Sequence, residues 1–175
     1  FQPWAAQAQP AGAQVVQGQA SFVRNGNNLL VTTQNAAGTS QSAINWQSFS
    51  VPKGSITQFN QPSATSTSIN RVVGNDPSAI FGTLSSNGRL VLVNPAGIAV
   101  GTGAVVDTAG FTASTLRMSD ADLLSGRMLF TDGTAGIQVD GRIVAKNGDV
   151  VLIAPNIQTS ANAVIQADGA TVLAA

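Results

Sequence analysis

The chain of 175 residues contains no cysteine, histidine or tyrosine, and only 9% of its residues are charged. Without cysteine it forms no disulfide and has no thiolate nucleophile, and without histidine it lacks the commonest general base and metal ligand. Eight acidic and eight basic residues give a formal net charge of zero, so no excess of one sign attracts nucleic acid or an anionic membrane. These absences predict no metal, no cofactor and no nucleic-acid partner.

The chain is nevertheless patterned. Apolar residues make up 43% of it, which is too much for a disordered segment. No apolar run is long enough to span a bilayer as a helix. We therefore expect residues 1–175 to form a single domain with a sizeable core.

Short β-branched segments dominate the sequence, and Asn-Gly or Asp-Gly steps separate many of them. One helical signal lies at Ser119–Arg127, where Ser119 can cap a single turn with Asp120 and Asp122 near its positive end. The predicted strands are Asn28–Thr33, Ile44–Val51, Leu90–Val93, Ala104–Asp107, Ile137–Val139, Arg142–Ala145, Val150–Ile153 and Val164–Gln166.

The C-terminal third repeats with a period of roughly 20 residues, which is typical of a solenoid. Ile137 corresponds to Ile157, Ile143 to Val164, and Val151 to Val172. Three short strands per period describe one rung of a parallel β-helix, whereas a Greek-key sandwich would give no triplet repeat. The predicted fold class is all-β, a right-handed parallel β-helix with an N-terminal β cap and extra-helical β elements.

The N-terminal region does not follow this period. We interpret residues 1–59 as a cap over the first rung and residues 60–175 as rungs with insertions. Trp46 and Phe49 form the predicted cap core, together with Trp4, Phe22 and Phe59. The C-terminal end shows no charge or proline to protect its sheet edges, so we expect the protein to continue beyond it.

A hard corner is predicted where the aliphatic run Leu90–Val93 meets Asn94, Pro95, Ala96 and Gly97. Asn at the first position, Pro at the second and Gly at the fourth suit a type I turn. Ile98 begins the apolar segment that leaves the turn.

From about residue 44 to residue 157 the sequence resembles the N-terminal secretion domain of two-partner-secretion exoproteins, also called the haemagglutination-activity domain. It is most similar to the high-molecular-weight adhesin subgroup. The family turn is usually Asn-Pro-Asn-Gly, and Ala96 replaces its second Asn. The matching segments are residues 44–51, 59–62, 69–72, 80–84, 88–98 and 110–116.

The resemblance implies a secretion signal that the POTRA domains of an outer-membrane TpsB-type transporter recognise. It implies passage through the periplasm to the surface or medium of a Gram-negative cell, followed by nucleation of β-helix folding there. The domain is expected to be a monomer at the N-terminus of a much longer exoprotein, whose downstream region contacts host-cell or biofilm receptors. The residues expected to recognise the transporter, or only to shape the fold, are Asn70, Arg71, Asn94, Pro95, Gly97 and Ile98.

Two other functions are open from the sequence. The domain could itself be an adhesive module that binds a host receptor or glycan. Some β-helix proteins are carbohydrate-active enzymes, but these need clustered carboxylates or basic residues around a cleft. The eight acids are scattered here, so the prediction is that the domain is not an enzyme. Asp120 and Asp122 could hold a cation, although two loop carboxylates are usually solvated.

Overall fold

A computed structural model describes residues 9–175, so Trp4 and the start of the predicted cap lie outside the described residues. The described part is built from short strands and one six-residue helix. In chain order these are β1 (Gln14–Gln17), β2 (Gln19–Asn25), β3 (Asn28–Gln34), β4 (Gln41–Trp46), β5 (Ile56–Asn60), β6 (Thr67–Val72), β7 (Ser78–Ile80), β8 (Thr83–Ser86), β9 (Arg89–Val93), β10 (Ile98–Val100), β11 (Val105–Thr108), β12 (Gly110–Ser114), α1 (Asp120–Ser125), β13 (Ile137–Val139), β14 (Arg142–Ala145), β15 (Val150–Ile153), β16 (Ile157–Thr159), β17 (Val164–Ala167) and β18 (Thr171–Ala174).

The strands form three sheets, and successive strands of the chain enter them in turn. Sheet I has the order β1-β4-β6-β9-β12-β15-β18, sheet II the order β7-β10-β13-β16, and sheet III the order β2-β3-β5-β8-β11-β14-β17. From β3 onward every pair of neighbouring strands is parallel. The predicted all-β, parallel β-helical class with three strands per rung is confirmed.

Aliphatic ladders fill the interior of the solenoid. In sheet I, for example, Leu92 pairs with Ala113, which pairs with Leu152, and all three are buried. Inward and outward positions alternate along each strand, so equivalent positions of successive rungs stack on one another in a continuous apolar core.

One of the three predicted correspondences is wrong. Ile143 pairs with Ile165, and Val164 instead lies beside Arg142 on the outer face. The connection before β17 has four residues, whereas the connection before β14 has two. The predicted alignment is therefore displaced by one residue, and a displacement of one residue moves a side chain to the other face of the sheet. Val151 pairs with Val172, as predicted, and this pair lies on the outer face, where Val172 is 43% exposed.

The predicted strand at residues 44–51 is also shorter than expected. β4 ends at Trp46, and Val51 makes only an isolated parallel bridge with Ile80. The chain therefore bends between Trp46 and Val51, where it passes from sheet I toward sheet II.

The solenoid starts earlier than residue 60. β3 and β4 already pair in parallel with β5 and β6, so they belong to the first rung. The antiparallel strands are β1, which pairs with β4, and β2, which pairs with β3. These two strands cover the N-terminal end of the described solenoid.

Residues 115–136 leave the solenoid between β12 and β13, and we call this excursion the strap. It contains α1, which Ser119 caps by accepting from the backbone N–H of Asp122, as predicted. An isolated antiparallel bridge between Arg117 and Thr131 closes the strap near its base. No helix within residues 9–175 has the length and apolarity needed to cross a bilayer.

Candidate functional site

The corner after β9 is a closed four-residue turn. The backbone N–H of Gly97 donates to the Asn94 carbonyl at 3.0 Å, and Asn94 Oδ1 accepts from the backbone N–H of Ala96 at 2.9 Å. Pro95 fills the second position, where its fixed φ suits the turn. Gly97 has a φ of +127°, a conformation that residues with a Cβ rarely adopt. Ile98 is buried and begins β10, so the corner directs the chain from sheet I into sheet II.

Asn94 also joins this corner to the preceding rung. Its Nδ2 donates to the Asp76 carbonyl and to Ser78 Oγ, both at 2.9 Å. The residue is completely buried. In the folded chain all three of these hydrogen bonds are internal, so the Asn94 amide is closed to an outside partner.

Asn70 has a comparable position inside the solenoid. It lies on β6, is 2% exposed, and accepts through Oδ1 from Trp46 Nε1 at 2.9 Å. Its Nδ2 donates to Ser68 Oγ at 3.1 Å. Buried polar groups need hydrogen-bond partners. The indole N–H is the only polar group of the Trp46 side chain, and Asn70 is its acceptor.

Trp46 and Phe49 are both buried and lie in one aromatic cluster near the N-terminal end. Their ring centroids are 5.3 Å apart at 77°, an edge-to-face arrangement that aromatic pairs favour. Phe22 of β2 contacts Trp46 in the same way at 5.7 Å, and Phe59 extends the cluster from β5. The cluster fills the core beneath the antiparallel strands.

Arg71 points in the opposite direction from Asn70, toward the strap. Its Nε donates to Asn45 Oδ1 at 3.0 Å, its Nη1 to the Met118 carbonyl at 2.9 Å, and its Nη2 to Asp120 Oδ1 at 2.5 Å. The Arg71 side chain is 13% exposed, against 83% for Asp120. Arg71 therefore fastens the strap to the outer face of sheet I.

Beneath the strap lies a second apolar cluster that the sequence analysis missed. Leu123 of α1 and Met118 are buried against outward-facing Ile69, Val91 and Val93 of sheet I. The signal was present in the run Leu90–Val93, because a strand that is aliphatic at every position is buried on both faces. The helical turn at Ser119–Arg127 was predicted, but not the surface on which it packs.

The two predicted motif segments meet at a cleft of about 450 Å³ between the strap and the corner of the solenoid. Its lining includes Arg71, Val73, Pro95, Ala96 and Arg117. Val73 is 50% exposed. The cleft thus offers guanidinium groups and a small apolar surface, which suit binding rather than acid–base chemistry.

The two aspartates proposed as cation ligands have structural partners. Asp120 pairs with Arg71, and Asp122 Oδ2 accepts from Ser119 Oγ at 2.8 Å in the helix cap. Across residues 9–175, no group of three or more His, Cys, Asp and Glu residues is arranged to hold a metal ion.

The sequence of the chain is similar to a described protein family and to known proteins. Residues 6–175 match the family described as the TPS secretion domain. The chain is also similar to the heme/hemopexin-binding protein of Haemophilus influenzae, with 36% identity over 106 residues. That alignment covers 61% of this chain and 11% of the relative, so the chain matches only a small part of the longer protein.

The solved structures that share the fold include two secretion domains. The HMW1 secretion domain from Haemophilus influenzae superposes with a TM-score of 0.86 at 32% identity, covering 94% of this chain and 44% of that one. The filamentous hemagglutinin secretion domain gives a TM-score of 0.55 at 23% identity, covering 83% of this chain and 55% of that one. The second likeness shows the fold alone.

Proposed function

The chain belongs to the family of TPS secretion domains, which are carried by exoproteins of two-partner secretion systems, and we propose that it is the signal that the POTRA domains of a TpsB transporter recognise. Exoproteins with this domain are secreted to the cell surface or medium of Gram-negative bacteria. The family is one of secretion domains and not of enzymes.

The observation that carries the proposal is the burial of the motif amides. Asn70 and Asn94 are 2% and 0% exposed, and their hydrogen bonds are made within the chain. A transporter that reads these residues therefore meets them before the rungs close. Asn70-Arg71 and Asn94–Ile98 act as short extended segments in this step, and the same side chains later hold the fold together.

The fold supports recognition before folding in a second way. Each parallel strand pairs with a strand about one repeat away in the sequence, as Ile137 pairs with Ile157. Such non-local β pairing forms slowly compared with local helices, which leaves time for capture. The absence of cysteine also keeps the chain free of disulfide loops while it is threaded through a pore.

After export, the domain folds at the cell surface. The rungs of this domain form first and nucleate the β-helix of the exoprotein that follows. Adhesion to host cells or biofilm belongs to that downstream region.

Binding to purified periplasmic domains of the transporter tests the proposal. The labelled chain is diluted from urea onto these domains, and fluorescence anisotropy follows binding while the chain refolds. We expect binding to the unfolded chain and its loss at the rate of folding. Phe111→Leu weakens the core at a buried residue that pairs with Leu90 and Val150 and with no motif residue, and this variant should bind for at least as long as the parent.

Asn70→Ala and Arg71→Ala should weaken binding to the unfolded chain, where neither side chain has a structural role. Equal binding by the motif variants would contradict the assignment of these residues. Equal binding by the fully folded parent would contradict recognition before folding.

A further inference from the structure

The strand β2 (Gln19–Asn25) leaves one of its long sides open. Among the strands of residues 9–175 it is the outermost of sheet III, and its one partner there is β3. Among residues 9–175, no backbone hydrogen bond from a turn or loop reaches it. A strand edge with unpaired N–H and C=O groups is a template for another strand.

The hairpin register identifies the groups that face this open side. Asn25 and Asn28 flank a two-residue turn, and residues in that position form a hydrogen-bonded pair. Bonding to β3 then alternates along the strand, so Val23 and Ser21 also bond inward. The N–H and C=O groups of the intervening residues Ala20, Phe22 and Arg24 point to the open side.

β2 has few of the devices that protect natural sheet edges, which are Pro, Lys, bulges or short length. It is seven residues long, contains neither Pro nor Lys, and keeps a continuous register with β3. Phe22 is 37% exposed and Val23 is 57% exposed. The one charge on the strand belongs to Arg24, whose guanidinium donates to Gln9 Oε1 and the Pro10 carbonyl.

We propose that β2 pairs antiparallel with β2 of a second copy of this chain, around a two-fold axis at Phe22. In this register Phe22 faces Phe22 of the other copy, Ala20 faces Arg24, and Ser21 faces Val23. No two charges lie opposite each other, so the repulsion that like charges cause across strands is avoided.

The register also fits the shape of the edge. Gln9 and Pro10 crowd the Arg24 end of the strand, and the residue brought opposite Arg24 is Ala20, whose side chain is among the smallest. The two exposed Phe22 rings cover each other beside Trp46. A C2 interface of this kind is closed and self-complementary, and it joins two solenoids at their N-terminal ends in place of the monomer that the sequence led us to expect.

A cysteine pair tests the register directly, because the chain has no cysteine of its own. Ser21 and Val23 of opposite copies form a non-hydrogen-bonded pair with Cα atoms about 4.5 Å apart, which suits a disulfide. The double variant Ser21→Cys/Val23→Cys should give disulfide-linked dimers on mild oxidation. Ser21→Cys alone places the two sulfurs on a diagonal of about 7–8 Å between Cα atoms and should link far less. No linkage in the double variant, or equal linkage in both, would overturn the register.

Light scattering across a concentration series tests the dimer itself. Val23→Lys places a charge at the edge, and we expect it to raise the dissociation constant at least about tenfold. Ile56→Lys is the matched control, since Ile56 is 41% exposed on the same outer face but two strands, about 10 Å, from β2. A parent that stays monomeric, or equal weakening by both variants, would overturn the proposal.

Discussion

Replacement of Asn94 by alanine should destabilise the fold more than the loss of an ordinary turn residue. Within the turn, the Asn94 side chain makes one hydrogen bond, which Oδ1 accepts from the Ala96 N–H. The structure adds two more, from Asn94 Nδ2 to the Asp76 carbonyl and to Ser78 Oγ. Asn94 and Ser78 are both fully buried, so water does not replace the lost partners freely.

The magnitude follows from these three bonds. A buried protein hydrogen bond contributes about 0.5–1.5 kcal/mol net, so Asn94→Ala should cost about 3 kcal/mol. With a urea dependence of about 2 kcal/mol per molar for a domain of this size, the unfolding midpoint should fall by about 1.5 M.

Urea unfolding followed by tryptophan fluorescence measures this shift. Ala96→Asn is the control in the same turn, because the Ala96 side chain makes none of these bonds and its site is partly exposed. It should leave the free energy of unfolding within about 0.5 kcal/mol of that of the parent. Equal midpoints for Asn94→Ala and the parent would refute the view that Asn94 ties two rungs together.

Three further changes have defined outcomes. Gly97→Val should cost at least about 1 kcal/mol in urea unfolding, and the cause is the φ of +127°, since a Cβ there would meet only ordinary contacts at 3.7 Å or more. Trp46→Phe should cost about 1–3 kcal/mol, because it leaves the buried Asn70 Oδ1 without its donor; urea unfolding followed by far-UV circular dichroism measures this, since the variant loses the reporting tryptophan, and an unchanged midpoint would show that this bond contributes nothing. Arg71→Ala should release the strap and speed limited proteolysis within residues 115–136 several-fold, with little rescue by Arg71→Lys because lysine lacks the planar fork that reaches three acceptors; an unchanged cleavage rate would mean that Arg71 does not hold the strap.

The sequence predicts the solenoid because its period survives in the residues themselves. Aliphatic residues recur about every 20 positions, and Gly-containing turns separate them, so the three-strand rung follows from spacing. The register of single strands is harder to predict. The spacing of the repeat aligns Ile143 with Val164, but the longer turn before β17 places Ile165 beside it, and turn lengths carry no hydrophobic signal.

The strap shows a second limit. Ser119 predicts its own helix cap, because capping is local chemistry. The packing of Leu123 on Ile69 and Val91 joins segments far apart in the chain, and local pattern does not name such partners. The contacts of Asn70 and Arg71 could not be predicted from the sequence either. The stacking of rungs brings Trp46 to Asn70, and the path of the strap brings Asp120 to Arg71.

Export of a passenger protein tests whether this domain is a transporter-dependent secretion signal. Residues 1–175 are fused behind a signal peptide and ahead of an unrelated cysteine-free passenger, and the passenger is measured in the culture medium with and without the cognate transporter gene. We expect export only when the transporter is present, with Phe111→Leu exported at least as well as the parent. Equal amounts of passenger in the medium of both strains would contradict a transporter-dependent secretion signal.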